Sequence, residues 1–203
     1  MPVVHLEDRS LISVEGEDAE TFLQNIITTD LSSLGRDEAR AGALLSPQGK
    51  ILFDFLVSRT AKGLRLDCRC ALADDFVRRL TLYKLRGKVT IAKQDQGLVA
   101  VSWDGDSSGP SEGSLRDSRF PSSVEVRRHY GAPLPAATAG LADWSRLRVA
   151  HGVAESGSDY DAGDAFPHDV LLDENGGVGF RKGCYIGQEV VSRMQHRGTA
   201  RRR

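Results

Sequence analysis

Cysteine is scarce in this sequence, with 3 residues among 203. So few cysteines, in an odd number, exclude a disulfide framework and are typical of a reducing compartment, so we expect a cytoplasmic protein. No run of residues approaches the roughly 18 apolar positions of a membrane-spanning helix. The chain also opens without the basic and apolar segments of a secretory signal. These features predict a protein without a membrane partner.

An excess of charge of one sign is lacking as well. The chain has 27 Lys and Arg against 28 Asp and Glu, for a formal charge of −1. This balance argues against a surface dedicated to nucleic acid, so we expect no direct binding to RNA or DNA. The charges are nevertheless segregated, because residues 155–174 contain acids without Lys or Arg, whereas residues 181–203 are strongly basic. Binding of tRNA by this basic end is a further alternative, and it predicts an affinity for RNA that falls steeply with salt.

Apolar spacing predicts the elements in the first half of the chain. A stripe over residues 19–27 has helical spacing and follows Asp18, a residue type that favours helix starts. Two apolar segments, 41–45 and 51–57, flank a Pro- and Gly-containing turn and predict a hairpin. Other strands are predicted at 11–14, 64–70, 88–92 and 98–103, and a second helix at 72–83. The order β-α-β-β-β-α-β-β predicts an α+β fold with a largely antiparallel sheet.

A stretch rich in Gly, Ser and Asp separates this half from the rest. We therefore predict a first α+β subdomain over residues 1–104, a linker over 105–118 and a second α+β subdomain over 119–203. The second subdomain is predicted to contain a strand at 122–128, a helix capped by Asp143 and ending at Gly152, and a helix at 187–197.

The most informative segment is 182–189, with the sequence KGCYIGQE. Its glycines, Gly183 and Gly187, permit a tight bend and close approach of the backbone. Cys184 lies between them, just before a predicted helix and beside Arg181 and Lys182. A helix N-terminus and neighbouring cations both favour a thiolate. Cys184 is therefore a candidate reactive or metal-ligating thiol, and the alternative is a small buried side chain in a turn.

This segment closely resembles the signature K-G-C-Y-x-G-Q-E of the YgfZ family of folate-binding proteins, which are relatives of the glycine-cleavage T-protein. Arg193, Arg197 and Gly198 continue the pattern, and three further segments, at 14–24, 45–51 and 83–89, also resemble the family. The resemblance implies two α+β subdomains of ferredoxin-like type around a folate-binding cavity. It also implies a C-terminal β-barrel, and since the chain ends at Arg203, we expect that barrel to be absent here.

The resemblance implies an accessory protein for the assembly or repair of iron–sulfur proteins, including one that modifies tRNA, rather than a classical enzyme. In that role Cys184 would be the functional thiol, either on a shared iron–sulfur cluster or in exchange with a partner. A single cysteine cannot hold a cluster alone, so iron–sulfur assembly or client proteins are the expected partners. Lys182, Gly183, Tyr185 and Gly187 are further residues of the predicted functional motif. Gln188 and Glu189 would shape the loop and the helix start.

The alternative is a folate-dependent aminomethyltransferase, the activity of the T-protein. That resemblance implies an acidic pair where Phe53 and Asp54 stand here. Phe53 cannot transfer a proton, and Asp54 points to the opposite face of a strand. A second acid is replaced by Ala150. A transferase would therefore have to rely on Asp54.

Three residues are candidates to bind tetrahydrofolate, the cofactor that the resemblance implies. Trp144 could form an aromatic platform for the pterin ring, and Arg148, one turn later, could bind the glutamyl tail. The alternative for Trp144 is core packing. Arg9 occupies a place where some relatives have a folate-facing aromatic residue. The remaining cysteines, Cys68 and Cys70, are predicted to lie in the core.

Overall fold

The computed structural model describes residues 1–94, 98–105 and 113–198. The described strands are β1 (Val3–His5), β2 (Arg9–Glu15), β3 (Glu38–Leu45), β4 (Ile51–Thr60), β5 (Gly63–Arg69), β6 (Thr90–Lys93), β7 (Val99–Trp103), β8 (Ser114–Asp117) and β9 (Val126–Tyr130). The helices are α1 (Ala19–Gln24), α2 (Cys70–Lys84), α3 (Leu141–Ala150) and α4 (Gln188–Arg197), with a short 3-10 helix at Pro167–Val170.

The described strands form one nine-stranded sheet in the order β1-β7-β9-β8-β3-β4-β5-β2-β6. Its pairings are antiparallel except for β3 with β8, which run parallel and pair at two positions only. The predicted α+β fold class is therefore confirmed. The sheet runs through both predicted subdomains, and the division at 105–118 stays a prediction. Among the described residues, no helix is long and apolar enough to cross a membrane.

The predicted hairpin is present as β3 and β4, and its strands are buried over most of their length. Helix α1 is shorter than predicted and ends at Gln24. The apolar stripe continues beyond it because the chain joins the hairpin instead: Ile27 bridges to Leu44, and the backbone N–H of Thr28 donates to the Ala43 carbonyl at 2.9 Å. Sheet pairing thus replaces the last turn of the predicted helix.

Three clusters of buried apolar residues pack the described chain. The first lies between α2 and strands β2, β4 and β5, where Phe76 stacks on Phe53 at 4.7 Å between ring centroids. The second surrounds Trp103 and Trp144. The third packs the hairpin against the C-terminal segment and includes Tyr185 of the motif. The motif is therefore attached to the hairpin by an apolar core.

Several local predictions differ from the structure. The predicted linker contains β8, which pairs with β9 and β3, while residues 106–112 of that linker lie outside the described residues. The prediction of a core position for Cys70 was wrong, because β5 ends at Arg69 and Cys70 begins α2 as an exposed residue. Asp143 lies inside the first turn of α3 and accepts a hydrogen bond from the N–H of Gly140, which caps the helix.

Candidate functional site

The motif forms a loop before α4, and its first anchor is a buried lysine. Lys182 is 9% exposed, and its ammonium group donates hydrogen bonds to the carbonyl oxygens of Ile27 and Thr29, each at 2.7 Å. Burial lowers the pKa of Lys182 to about 8, although the nearby Asp30 carboxylate acts in the opposite direction. The charge of Lys182 is therefore directed at the backbone that follows α1.

The second anchor lies at Tyr185 and Gly187. Tyr185 is buried in the third core cluster. Gly187 has a φ of +79°, and a β-carbon at this position would lie 2.6 Å from the carbonyl oxygen of Ser46 in the hairpin turn. Because an L side chain fits neither this backbone conformation nor this space, glycine is required for the loop to approach the hairpin.

Cys184 lies between the two anchors and is exposed, as is Gly183. A side chain at Gly183 would meet no atom within 4 Å. Helix α4 begins only at Gln188, whose N–H donates to the Tyr185 carbonyl at 3.2 Å. The thiol of Cys184 is thus displayed to solvent on a loop that is fixed on both sides. The expected alternative of a buried structural cysteine does not hold for this residue.

The second feature of the site is a buried group of charged side chains, here named the central charged cluster. Its members come from β2, β5, β8, β9, α3 and the segments that follow β8 and α3. They are Arg9, Asp67, Asp117, Arg119, Arg128, Arg148 and Glu155. Every member is at most 9% exposed. Because burying an unpaired charge is costly, their mutual placement decides whether the cluster is tolerated.

Arg128 is fully buried at the middle of this cluster. Its Nε lies 3.1 Å from an Asp117 oxygen, its Nη1 lies 3.4 Å from Asp67, and its Nη2 lies 3.5 Å from Glu155. Arg9 completes the surroundings of Asp67 by donating from Nε at 2.7 Å. One arginine therefore connects acids from three separate parts of the chain.

The arginines keep the buried acids ionised. Burial alone would raise the pKa of Asp117, but Arg119 and Arg128 outweigh it and lower this pKa to about 2. Burial likewise opposes the ionisation of Glu155, and Arg119, followed by other arginines of the cluster, lowers its pKa to about 2. These carboxylates are consequently charged, paired acceptors at neutral pH.

Trp144 belongs to the core beside this cluster. It is 3% exposed, and its ring centroid lies 5.7 Å from that of Phe120 and 6.2 Å from that of Trp103. The guanidinium group of Arg128 lies 5.3 Å from the same ring. The indole Nε1 is buried without a hydrogen-bond partner among the described residues. The packing alternative therefore describes the Trp144 ring better than an open aromatic platform does.

Arg148 and Arg9 are both committed to partners within the protein. Arg148 donates from Nη1 to the Val153 carbonyl and to Asp159, both at 2.7 Å. Arg9 donates to the side chain and the carbonyl of Asp67. Neither guanidinium group is free to act as a simple anion site.

A cavity of about 620 Å³ lies beside α3, between it and the segment that joins β1 to β2. Trp144 and Arg148 both line it, as their spacing of four residues indicates, and Glu7, Asp8 and Glu155 add carboxylates to its wall. Arg9 and Cys184 are not among its lining residues. The structure thus brings two of the predicted folate residues to one cavity and leaves the motif loop elsewhere.

Asp54, on which the transferase alternative depends, is already engaged. Its carboxylate accepts hydrogen bonds from the N–H of Ser156 at 3.1 Å, from the Ser156 hydroxyl and from the Tyr160 hydroxyl. Phe53, its neighbour, stacks on Phe76 in the core. Asp54 therefore connects β4 to the acidic segment 155–174 and acts as a structural acceptor here.

Sequence reasoning missed most of the central charged cluster. A local signal exists for Arg128, which follows Val126 by two residues and so lies on the same buried face of β9. The pairing of Arg128 with Asp67 and Asp117 could not be predicted, because these residues meet only through sheet order. Thr28 and Thr29, both fully buried beside the motif, were also missed.

No model of a known protein family matches the sequence. The sequence does match curated proteins named "Iron-sulfur cluster assembly factor IBA57": 31% identity to the Chaetomium globosum homolog, and 29% to the human protein. These matches cover 99% and 98% of this chain. Among solved structures, the glycine cleavage system aminomethyltransferase T from Bartonella henselae shares the fold, with a TM-score of 0.74 and 17% identity over 97% of this chain.

The chain spans only part of these proteins: 54% of the C. globosum homolog, 64% of the human protein and 63% of the B. henselae chain. The predicted cytoplasmic location was wrong, because both sequence relatives are named as mitochondrial. That prediction rested on scarce cysteine, which indicates a reducing environment without specifying the compartment. The predicted resemblance is confirmed, because the chain is similar in sequence to these IBA57 proteins and shares the fold of the glycine cleavage system aminomethyltransferase T.

Proposed function

We propose that this protein takes part in the assembly of iron–sulfur clusters and that Cys184 is a thiolate ligand of a cluster shared with a partner protein. The observation that carries this proposal is the exposed thiol on a loop anchored on both sides, in a chain whose relatives are named as iron–sulfur cluster assembly factors. Thiolate is the usual protein ligand of such clusters, and one thiolate leaves coordination positions for other ligands.

The other cysteines provide an internal comparison for Cys184. Cys68 is 1% exposed, and burial raises the pKa of its thiol to about 12, so it is a poor ligand. Cys70 is exposed, but it lies in the first turn of α2 and has no anchored loop around it. Cys70 is consequently the matched control for an exposed thiol outside the motif.

The test is anaerobic reconstitution with ferrous iron, sulfide and glutathione, with glutathione supplying the remaining thiolates. Iron and sulfide retained after desalting are measured together with the visible absorption of a cluster. We expect the unmodified chain and Cys70→Ser to retain equal amounts and Cys184→Ser to retain none. Full retention by Cys184→Ser, or loss on Cys70→Ser alone, would contradict the proposal.

We further propose tetrahydrofolate as the ligand of the cavity beside α3. The fit is partial, because the volume is in the range of ligand pockets and the carboxylates on the wall can accept hydrogen bonds from a polar heterocycle, whereas Arg148 is paired within the protein and the Trp144 ring is packed in the core. When bound, tetrahydrofolate carries one-carbon units. Trp144 and Arg148 would form one wall, and Glu155 would accept hydrogen bonds from donor groups of the ligand.

The folate proposal is tested by anaerobic titration with tetrahydrofolate, followed by tryptophan fluorescence. The chain has two tryptophans, so Trp144→Phe leaves only the signal of Trp103. We expect saturable quenching in the unmodified chain and weaker quenching in the variant. Absence of saturable quenching in the unmodified chain would reject tetrahydrofolate as a ligand of this cavity.

A further inference from the structure

We propose that Lys182 is a positioning residue, whose ammonium group ties the motif loop to the backbone after α1 and thereby fixes the place where Cys184 is displayed. The use made of Cys184 rests on the proposed function above. The geometry that supports the inference is independent of the proposed function, because it consists of contacts within this chain.

Residues 27–29 and 177–182 are joined by a row of hydrogen bonds, here named the seam, and Lys182 forms its last bonds. The Thr28 hydroxyl donates to the Gly177 carbonyl at 2.6 Å, and the N–H of Gly179 donates to the Thr28 carbonyl at 2.8 Å. The two bonds from Lys182 to the carbonyls of Ile27 and Thr29 continue this seam toward the motif. The seam therefore ends at Lys182, two residues before the cysteine.

The residues around Lys182 offer little else to hold the loop. Arg181, Gly183 and Cys184 are exposed. Residues 180–181 form a turn, whereas residues 183–185 lie in no turn, helix or strand of the described structure. The side chain of Lys182 thus supplies the polar attachment on this side of Cys184, and Tyr185 supplies the apolar attachment on the other.

This role differs from electrostatic activation of the thiol. A cation that acts only through its charge can be replaced by another cation nearby, and Arg181 is an exposed cation at the adjacent position. A positioning residue must instead donate to the two carbonyl oxygens, which the exposed Arg181 does not do in the described structure. Functional groups need to be held within about 0.5 Å of their productive geometry, so such an attachment matters for a ligand that must meet a partner's ligands.

The experiment measures the mobility of a nitroxide label on Cys184 by electron paramagnetic resonance. Labelling is done in the Cys70→Ser background, where Cys184 is the exposed cysteine and Cys68 is buried. We expect Lys182→Met to shorten the rotational correlation time of the label at least twofold. Lys182→Arg should restore most of the immobilisation, because a guanidinium group can still donate to carbonyl oxygens.

Arg181→Met is the matched control, because it removes the same charge one residue away without removing a hydrogen bond. We expect it to leave the label mobility unchanged. The second measurement is amide hydrogen exchange at Gly179, which should become faster in Lys182→Met as the seam opens. Circular dichroism reports whether the variants fold, and Lys182→Leu, which also lacks a donor, replaces Lys182→Met if the latter does not.

The inference is overturned if Lys182→Met leaves both the label mobility and the Gly179 exchange unchanged. It is also overturned if Arg181→Met increases the label mobility as much as Lys182→Met does. Its failure is separable from that of the proposed function. Loss of iron retention in Cys184→Ser with unchanged mobility in Lys182→Met would keep the cluster and reject the positioning role. Increased label mobility in Lys182→Met together with full iron retention in Cys184→Ser would keep the positioning role and reject the cluster.

Discussion

The central charged cluster and the motif loop use buried charge in opposite ways. In the cluster, four arginines and three acids pair with one another, and the carboxylates of Asp117 and Glu155 are held ionised. In the motif loop, one buried lysine bonds only to backbone carbonyls, and the neighbouring thiol faces solvent. The first arrangement joins strands, whereas the second lies beside an exposed thiol.

This difference shows how a search for active residues can be misled. Strongly shifted pKa values often mark functional sites, but structural ion-pair networks produce them too. In this protein the lowered pKa values of Asp117 and Glu155 arise from arginines that are themselves buried and paired. The candidate site is better identified by an exposed, chemically capable group on a loop that the fold holds in place.

The largest expected effect breaks the cluster at its centre. Arg128→Met removes the cation that connects Asp67, Asp117 and Glu155 and leaves buried carboxylates without their central partner. We expect the free energy of unfolding to fall by about 3–5 kcal/mol, measured by urea denaturation. The exposed pair Arg78 and Asp75 is the control, and Arg78→Met should cost less than about 1 kcal/mol. Equal losses of stability in the two variants would show that burial does not increase the contribution of these ion pairs to folding.

A change of pH tests the same cluster with a smaller effect. The folded-state pKa of Asp117, about 2, is below the value of about 3.9 in an unfolded chain. Its stabilising contribution, about 2–3 kcal/mol, is complete above about pH 5 and is lost as the pH falls toward 2. We expect the urea midpoint to decrease between pH 5 and pH 3 and to decrease less in Asp117→Asn. Parallel decreases in both proteins would assign the acid sensitivity to other groups.

The smallest expected effect contrasts the two glycines of the motif loop. Gly187→Ala forces a positive φ on alanine and places a β-carbon 2.6 Å from the Ser46 carbonyl oxygen, so we expect a loss of about 1–3 kcal/mol. Gly183→Ala meets open space and should stay within about 0.5 kcal/mol of the unmodified chain. Both are measured by thermal or urea unfolding. A larger loss at Gly183 than at Gly187 would contradict the two-anchor description of the loop.

Local patterns were sufficient to predict much of the fold. The hairpin of β3 and β4 followed from two apolar segments and a turn, and α2 followed from apolar residues at helical spacing. Helix α1 was predicted too long because Ile27 has the same apolar character in a helix as in the bridge that it forms with Leu44. Cys70 was misplaced because alternation cannot show where a strand ends and a helix begins.

The candidate site was predictable only in its exposed part. The motif drew attention to Cys184 and to the glycines beside it. The targets of Lys182 are main-chain carbonyls of Ile27 and Thr29, and main-chain atoms carry no signature in a sequence. The partners of Arg128 depend on the order of strands in the sheet, which residue spacing within each strand does not specify.

The parallel pairing of β3 with β8 also has a kinetic meaning. Only two residue pairs form it, Glu38 with Arg116 and Ala39 with Asp117, and both join segments far apart in the chain. Forming this pairing requires the intervening chain to close into a loop, and only two residue pairs offset the conformational entropy that is lost. The backbone pairing alone should therefore hold this joint weakly, and the ion pairs of Asp117 with Arg119 and Arg128 reinforce it. The lifetime of the native state would then depend on how slowly this joint reopens.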